Sequence, residues 1–175
     1  MKSHIAHRGS RKGFTMIELI VAMGIFLILI AAATSGFVQA LRTQRAIVAL
    51  MAANDNASSV LEQMAREIRV GYNFQTNTSE DELTFVNAYN EIVTYRLDNQ
   101  TIERGTGGMG GTTFAPLTPE IVRIDGMKFR LQGAQSGDRE APRVTINLMV
   151  GARGKGVENI VVNIQTTVSA RLIDS

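Results

Sequence analysis

The chain has 175 residues and a mass of 19.0 kDa, enough for one ordinary domain with an appendage and too short for two full domains. Cysteine is absent, which excludes a disulfide framework, a thiolate nucleophile, an iron–sulfur cluster and any cysteine-containing zinc site. The formal charge of +2 is uneven: residues 1–13 carry Lys2, Arg8, Arg11 and Lys12 with no acid, and the rest holds 14 basic against 16 acidic residues. Both histidines, His4 and His7, lie in the basic stretch, so its removal leaves no histidine and no basic excess to argue for nucleic acid.

From 19 to 41 the chain holds 23 residues without a charge, and 19–33 is unbroken apolar or Gly, with Gly24 the one glycine. About 20 such residues cross the ~30 Å hydrocarbon core as a helix. A buried core helix would carry a polar stripe over this length. The basic residues precede the run, so the positive-inside rule keeps the N-terminus in the cytoplasm and sends the remainder outward. Three membrane readings compete. One is a secretory signal peptide cut after Ala31-Ala32-Ala33. Another is a plain signal anchor. The third gives a purpose to Glu18, which stands directly before Leu19. An ionisable group costs ~2.5–3.5 kcal/mol at the centre of a membrane helix and less near its end. A cut between Gly13 and Phe14 would create an ammonium at Phe14, four residues before Glu18 and on the same helical face. The ammonium of one subunit then neutralises the glutamate of the next.

The residues Arg11-Lys12-Gly13-Phe14-Thr15-Met16-Ile17-Glu18, followed by the apolar run, closely resemble the class III signal of type IV pilins and pseudopilins. The resemblance covers about 11–38. It implies that a prepilin peptidase/methyltransferase cuts after Gly13 on the cytoplasmic side and methylates Phe14, and that Glu18 guides docking into a filament. It implies a leader of 1–13, a transmembrane and filament-core helix of 14–41, and an extracytoplasmic pilin-like domain of 42–175, divided into helix 42–70 and sheet 71–175. Major members of that family often carry a proline in the outer half of the apolar segment. Here the segment reads Thr34-Ser35-Gly36, which points to a minor, tip-type subunit.

The helical pattern continues beyond the apolar run. Ile47, Leu50, Asn54, Ala57, Leu61, Met64 and Ile68 alternate steps of three and four, which predicts one apolar face on an amphipathic helix. Val70-Gly71 ends it, glycine being the usual residue just past a helix. A helix from about 15 to 69 would be ~80 Å long. After Gly71 the period becomes two. Strands are predicted at 82–86 and 92–97 around a turn at Tyr89-Asn90-Glu91, and a short one at 101–104 after a turn at Asp98-Asn99-Gln100. Stretches 121–131, 143–150 and 159–172 are rich in Val, Ile and Thr and add three more. The connections, at 105–111, 132–142 and 151–158, are polar or glycine-rich. The predicted class is α+β: the helix packed on an antiparallel sheet of five to seven strands.

Ala65-Arg66-Glu67-Ile68-Arg69, the hairpin ending Tyr95-Arg96-Leu97-Asp98 and the final Gln165-Thr166-Thr167-Val168-Ser169-Ala170-Arg171 resemble the J-type minor pseudopilin of type II secretion and the related W-type minor pilins. A K-type subunit is disfavoured, since that type lacks the glutamate and carries a large inserted domain.

Two stretches imitate nucleotide sites. Gly105-Thr106-Gly107-Gly108-Met109-Gly110 matches G-x-G-x-x-G, but Gly111-Thr112-Thr113-Phe114-Ala115-Pro116 follows where a helix should start, so it reads as loop. Gly151-Ala152-Arg153-Gly154-Lys155-Gly156 lacks the Ser or Thr and the spacing of a P-loop and reads as a hairpin turn. Glu80-Asp81-Glu82 offers oxygens that suit calcium, yet neighbours in a strand point to opposite faces, so the run reads as a solvated surface. No catalytic residue, metal or cofactor is assigned, and the chain reads as a non-enzyme.

The preferred function is structural: a subunit that assembles with other pseudopilins or minor pilins on an inner-membrane assembly platform. It crosses the bilayer once, with the C-terminal domain outside. The alternative is a signal-anchored extracytoplasmic binding domain outside any filament, which needs neither Glu18 nor the Gly13–Phe14 junction. Type II secretion and type IV pili both remain open.

Overall fold

The structure is a computed structural model that describes residues 13–108, 111–134, 140–154 and 156–171. One helix, α1 (Met16–Arg69), precedes eight strands: β1 (Tyr72–Thr76), β2 (Glu82–Val86), β3 (Ile92–Asp98), β4 (Thr101–Gly108), β5 (Gly111–Pro116), β6 (Val122–Gln132), β7 (Arg143–Ala152) and β8 (Val161–Ser169). The predicted α+β class, a long N-terminal helix followed by antiparallel sheet, is what the chain forms. The chain divides into two compact units between Arg42 and Thr43.

In the first unit every described residue is exposed, including Leu19, Phe26, Ile28 and Phe37. Apolar side chains that no protein surface covers, over a stretch of this length, suit a hydrocarbon environment. The helix starts at a cap: Thr15 Oγ1 accepts the Glu18 N–H at 3.3 Å, and the Thr15 carbonyl accepts the Leu19 N–H at 3.2 Å.

In the second unit α1 buries Ala53, Ala57, Val60, Leu61, Met64 and Ile68. Four residues of the predicted apolar face, Ala57, Leu61, Met64 and Ile68, are among them. Ile47 is exposed, and Ala53 takes the place given to Asn54. The face turns because alanine, not asparagine, fits where the helix lies against the sheets. A single core cluster joins these residues to Leu83, Phe85, Val93 and Ile102 from one sheet and Ile124, Phe129, Ile146 and Leu148 from the other.

The single predicted sheet is two sheets, one of five strands in the order β1-β2-β3-β4-β5 and one of three in the order β6-β7-β8. The first is a meander. Its β3–β4 hairpin turns on Asn99 and Gln100, both at positive φ (45° and 61°), with Asp98 opposite Thr101, as a two-residue primed turn requires. Between β2 and β3 the Asn87 side chain accepts the N–H groups of Tyr89 (2.9 Å) and Glu91 (3.0 Å), so the predicted turn is organised from Asn87, three residues before its centre at Asn90. The two sheets meet through β6. Its Ile124 N–H donates to the Gln100 carbonyl at 3.0 Å, and its Phe129 N–H to the Glu80 carbonyl at 2.6 Å.

Two strands were not anticipated. The glycine-rich 105–108, read as loop, continues β4, and 111–116 pairs with it as β5. Gly105 faces Phe114 and Gly107 faces Thr112. A Cβ on Gly105 would stand 2.6 Å from Thr112 and 2.7 Å from Phe114. The glycines therefore make room for the side chains of β5, and the Arg96 guanidinium covers the Phe114 ring at 3.5 Å. Strand β1 escaped notice because Asn73, at φ 56°, breaks its alternation beside a register shift. Gly71 follows the helix as expected, but for another reason. A Cβ there would stand 2.5 Å from the Phe85 ring, so close packing excludes larger residues.

Candidate functional site

The N-terminal segment holds the sequence-predicted site residues. Gly13 precedes the helix, and a Cβ built on it would meet nothing within 4 Å among the described residues. The fold of this chain therefore does not demand a glycine there. Phe14 is 84% exposed. Thr15 is the cap, and Glu18 stands in the first turn of α1 at the T-x-x-E spacing of a capping box, where a carboxylate also meets the positive end of the helix dipole. Glu18 thus has a local use that the sequence reading did not give it. The basic residues Arg11 and Lys12 lie outside the described residues.

A second constellation lies in the other unit. Arg104 grips the Glu67 carboxylate with two nitrogens, Nε at 3.0 Å and Nη2 at 2.5 Å. The Tyr95 hydroxyl donates to the same carboxylate. Glu67 is on α1, and Tyr95 and Arg104 are direct partners on β3 and β4. Burial alone would raise the Glu67 carboxyl, but the hydrogen bonds from Arg104 and Tyr95 prevail and lower it. Burial, and then the Glu67 carboxylate, push the Tyr95 hydroxyl up. The hydrogen bond to Glu67 raises Arg104 further. No member of the trio titrates near neutral pH, so the group acts as a fixed clamp between helix and sheet and not as an acid–base pair.

Sequence reasoning quoted Glu67 and Tyr95 for resemblance alone and passed over Arg104. A signal was present. Tyr95 follows Val93, and Arg104 follows Ile102, in the inward phase of their strands, and Glu67 adjoins Ile68 on the helix. Ionisable groups in phase with a buried set need partners.

The other motifs resolve as backbone devices. Asn77 Oδ1 accepts the N–H groups of Asp81 (3.1 Å) and Glu82 (3.3 Å), and its Nδ2 donates to Asp81 Oδ1 at 2.6 Å. The acidic run thus belongs to the β1–β2 turn. Among the described residues no group of three or more His, Asp or Glu side chains is placed to hold a metal ion. In 151–156, Gly151 and Ala152 close β7, and Gly154 and Gly156 take positive φ in the connection to β8.

The family described as the prokaryotic N-terminal methylation motif matches residues 8–34. No curated protein and no solved structure matches the chain. The match supports a type IV pilin-like prepilin signal, and with the exposed apolar helix it marks a single-pass membrane anchor. Residues 8–34 are thus similar to the N-terminal signal of type IV pilins and pseudopilins. Such a signal implies processing by a prepilin peptidase and assembly with other pilins.

Proposed function

We propose that the chain is a minor pseudopilin or minor pilin, a structural subunit that enters a type II secretion pseudopilus or type IV pilus at its tip. The observation that carries this reading is the joining of Gly13, Phe14 and Glu18 to a 23-residue uncharged run. Cleavage after Gly13 leaves Phe14 as the mature N-terminus, methylated by the peptidase. The space around Gly13 supports recognition from outside the chain, since among the described residues nothing lies within 4 Å of a Cβ built there. The apolar half of α1 then anchors the subunit in the cytoplasmic membrane, and the later half carries the globular unit outside it. The absence of proline from 16–42 favours a minor subunit, and the resemblances at 65–69, 95–98 and 165–171 favour the J and W types.

Intact-mass analysis of the membrane-extracted protein tests the reading. The expected mass lacks residues 1–13 and carries one added methyl group. A mature start after Ala33 would establish an ordinary signal peptide, and an uncut chain a plain signal anchor. Cross-linking to pilins encoded beside this gene then distinguishes a filament subunit from a free-standing anchored domain.

A further inference from the structure

The two sheets end in four edge strands, β1, β5, β6 and β8, and three of these edges are blunted or paired. β1 carries a register shift beside Asn73, at φ 56°. β5 is six residues long and ends at Pro116. The outer side of β6 donates to the Glu80 and Gln100 carbonyls. β8 has none of these devices. It runs nine residues, Val161–Ser169, in unbroken register with β7 and without a charge, a proline or a glycine. A free edge with a row of unpaired N–H and C=O groups is a template for another strand, which is why folded proteins blunt it.

Two hydrogen bonds fix which groups of β8 face outward. The Ala170 N–H donates to the Pro142 carbonyl at 2.7 Å, on the β7 side, and the Arg171 N–H donates to the Arg69 carbonyl at 3.1 Å, on the other side. Alternate residues of an antiparallel strand turn their main-chain groups to opposite sides. Val161, Asn163, Gln165, Thr167 and Ser169 therefore direct N–H and C=O away from β7, and all five residues are exposed. The end of α1 closes this side at Arg171 and leaves 161–169 open. The core-facing row opens toward its start: Val168 is 3% exposed, Val162 is 40% and the adjoining Ile160 is 41%.

The outer face of the same sheet is cationic. Its rows across β6, β7 and β8 are Gln132–Arg143–Ser169, Arg130–Thr145–Thr167 and Lys128–Asn147–Gln165, with no carboxylate in any of the three. Lys128 Nζ is committed to the Ser79 carbonyl at 2.6 Å. Arg130 and Arg143 are exposed and, among the described residues, form no ion pair.

We propose that the free edge of β8 takes up an extended segment of another protein as a fourth strand, a segment in which apolar residues alternate with acidic ones. Its main chain pairs with the outward groups of Asn163, Gln165 and Thr167. Its apolar side chains prolong the row of Val162 and Ile164 and cover what is exposed there. Its carboxylates lie on the outer face, two strand spacings or ~10 Å from the β7 backbone at Arg143, within reach of that guanidinium and little screened by salt. The main-chain ladder supplies affinity and the alternating side chains supply specificity. Neither cleavage at Gly13 nor entry into a filament is required.

The test uses the full chain in detergent micelles and two fluorescein-labelled, end-capped heptapeptides, Val-Glu-Val-Glu-Val-Glu-Val and its lysine counterpart, with binding read by anisotropy. The glutamate peptide is expected to bind, and the lysine peptide to bind at least about tenfold more weakly. Asn163→Pro removes an N–H that the fold does not use, so the melting temperature is expected to hold while the affinity falls about tenfold. Gln165→Glu, at an exposed position, is expected to weaken the glutamate peptide and to strengthen the lysine peptide. Amide exchange at Asn163, Gln165 and Thr167 is expected to slow with the glutamate peptide, while Ile164 and Thr166, already turned to β7, stay unchanged. No binding of the glutamate peptide, equal affinity for the two peptides, or binding that Asn163→Pro leaves intact overturns the proposal. Self-association of the wild type that Asn163→Pro abolishes would assign the edge to a second copy and also overturn it.

Discussion

Tyr95 and Arg104 face each other across β3 and β4 and close on one carboxylate, Glu67, near the end of α1. The side chains of Glu67 and Arg104 are 18% and 24% exposed, so the pair lies between a surface bridge and a buried one. Removing one partner strands the other in a partly desolvated place. Glu67→Ala is expected to cost about 3 kcal/mol, between the values for surface and buried pairs. Tyr95→Phe loses one hydrogen bond to a charged acceptor, at about 1.5 kcal/mol. Urea unfolding of the globular unit measures both. Losses below ~0.5 kcal/mol would show that apolar packing alone holds helix to sheet.

The same trio explains which parts of the fold were legible. The long helix, its end at Arg69 and the β2–β3–β4 hairpins are written in local patterns: steps of three and four, steps of two, and Asn-rich turns. The Gly13–Phe14–Glu18 signal is equally local. What stayed hidden depends on distant partners. Glycines 105 and 107 look like loop until Phe114 and Thr112 are seen to lie over them. One sheet became two because the pairing of β6 with the turns at Glu80 and Gln100 has no local signature. Glu67 and Arg104 stand 37 residues apart, and a window of a dozen residues cannot join them.

The pH dependence of stability follows from the directions of the shifts. Glu67 is lowered in the folded state, so its contribution is full above its ordinary value of about 4.3 and is lost as pH falls through the folded value. Tyr95 is raised, so its contribution is full below its ordinary value of about 10 and is lost as pH rises beyond that. A plateau between these limits is expected. Unfolding measured across pH in the wild type and Glu67→Gln should show a shallower acid limb in the variant. Identical acid limbs would assign acid sensitivity to other carboxylates.

Gly71 tests packing at the exit from the helix. A methyl group there would press on the Phe85 ring, whose nearest atom is 2.5 Å from the Cβ position and whose faces meet Phe74 and Tyr95. Gly71→Ala is expected to destabilise by about 1–3 kcal/mol, the usual range for overpacking. Gly13→Ala, with nothing around its Cβ, is expected to leave unfolding unchanged. Equal effects of the two substitutions would refute the packing account.

The globular unit, from Thr43 onward, contains every residue of the core cluster. Expressed without the first 42 residues, it is expected to fold cooperatively. The Asn77 side chain already organises the turn that carries Glu80, Asp81 and Glu82. Thermal melts with and without a chelator are therefore expected to coincide. A large drop in Tm with chelator would identify a bound cation and make those three acids the first to replace.

Glu18 has two possible uses that one substitution separates. As the fourth residue of the T-x-x-E box it supports the first turn of α1, where Thr15 Oγ1 already accepts its N–H. As a charge at the edge of the apolar run it would pair with the Phe14 ammonium of a neighbouring subunit. Glutamine serves the first use, since a capping box accepts Glu or Gln, but it carries no charge for the second. Burial in a bundle of apolar helices disfavours an unpaired ion, so loss of the carboxylate would strand the ammonium. Glu18→Gln is therefore expected to preserve cleavage and membrane insertion while reducing cross-links to other pilins. Thr15→Ala is expected to do the reverse of this at the helix start, loosening the cap by about 1 kcal/mol while retaining the charge. A processing assay run beside the cross-linking keeps the two steps apart. Cross-linking and filament function at wild-type levels in Glu18→Gln would leave the glutamate with its capping role alone.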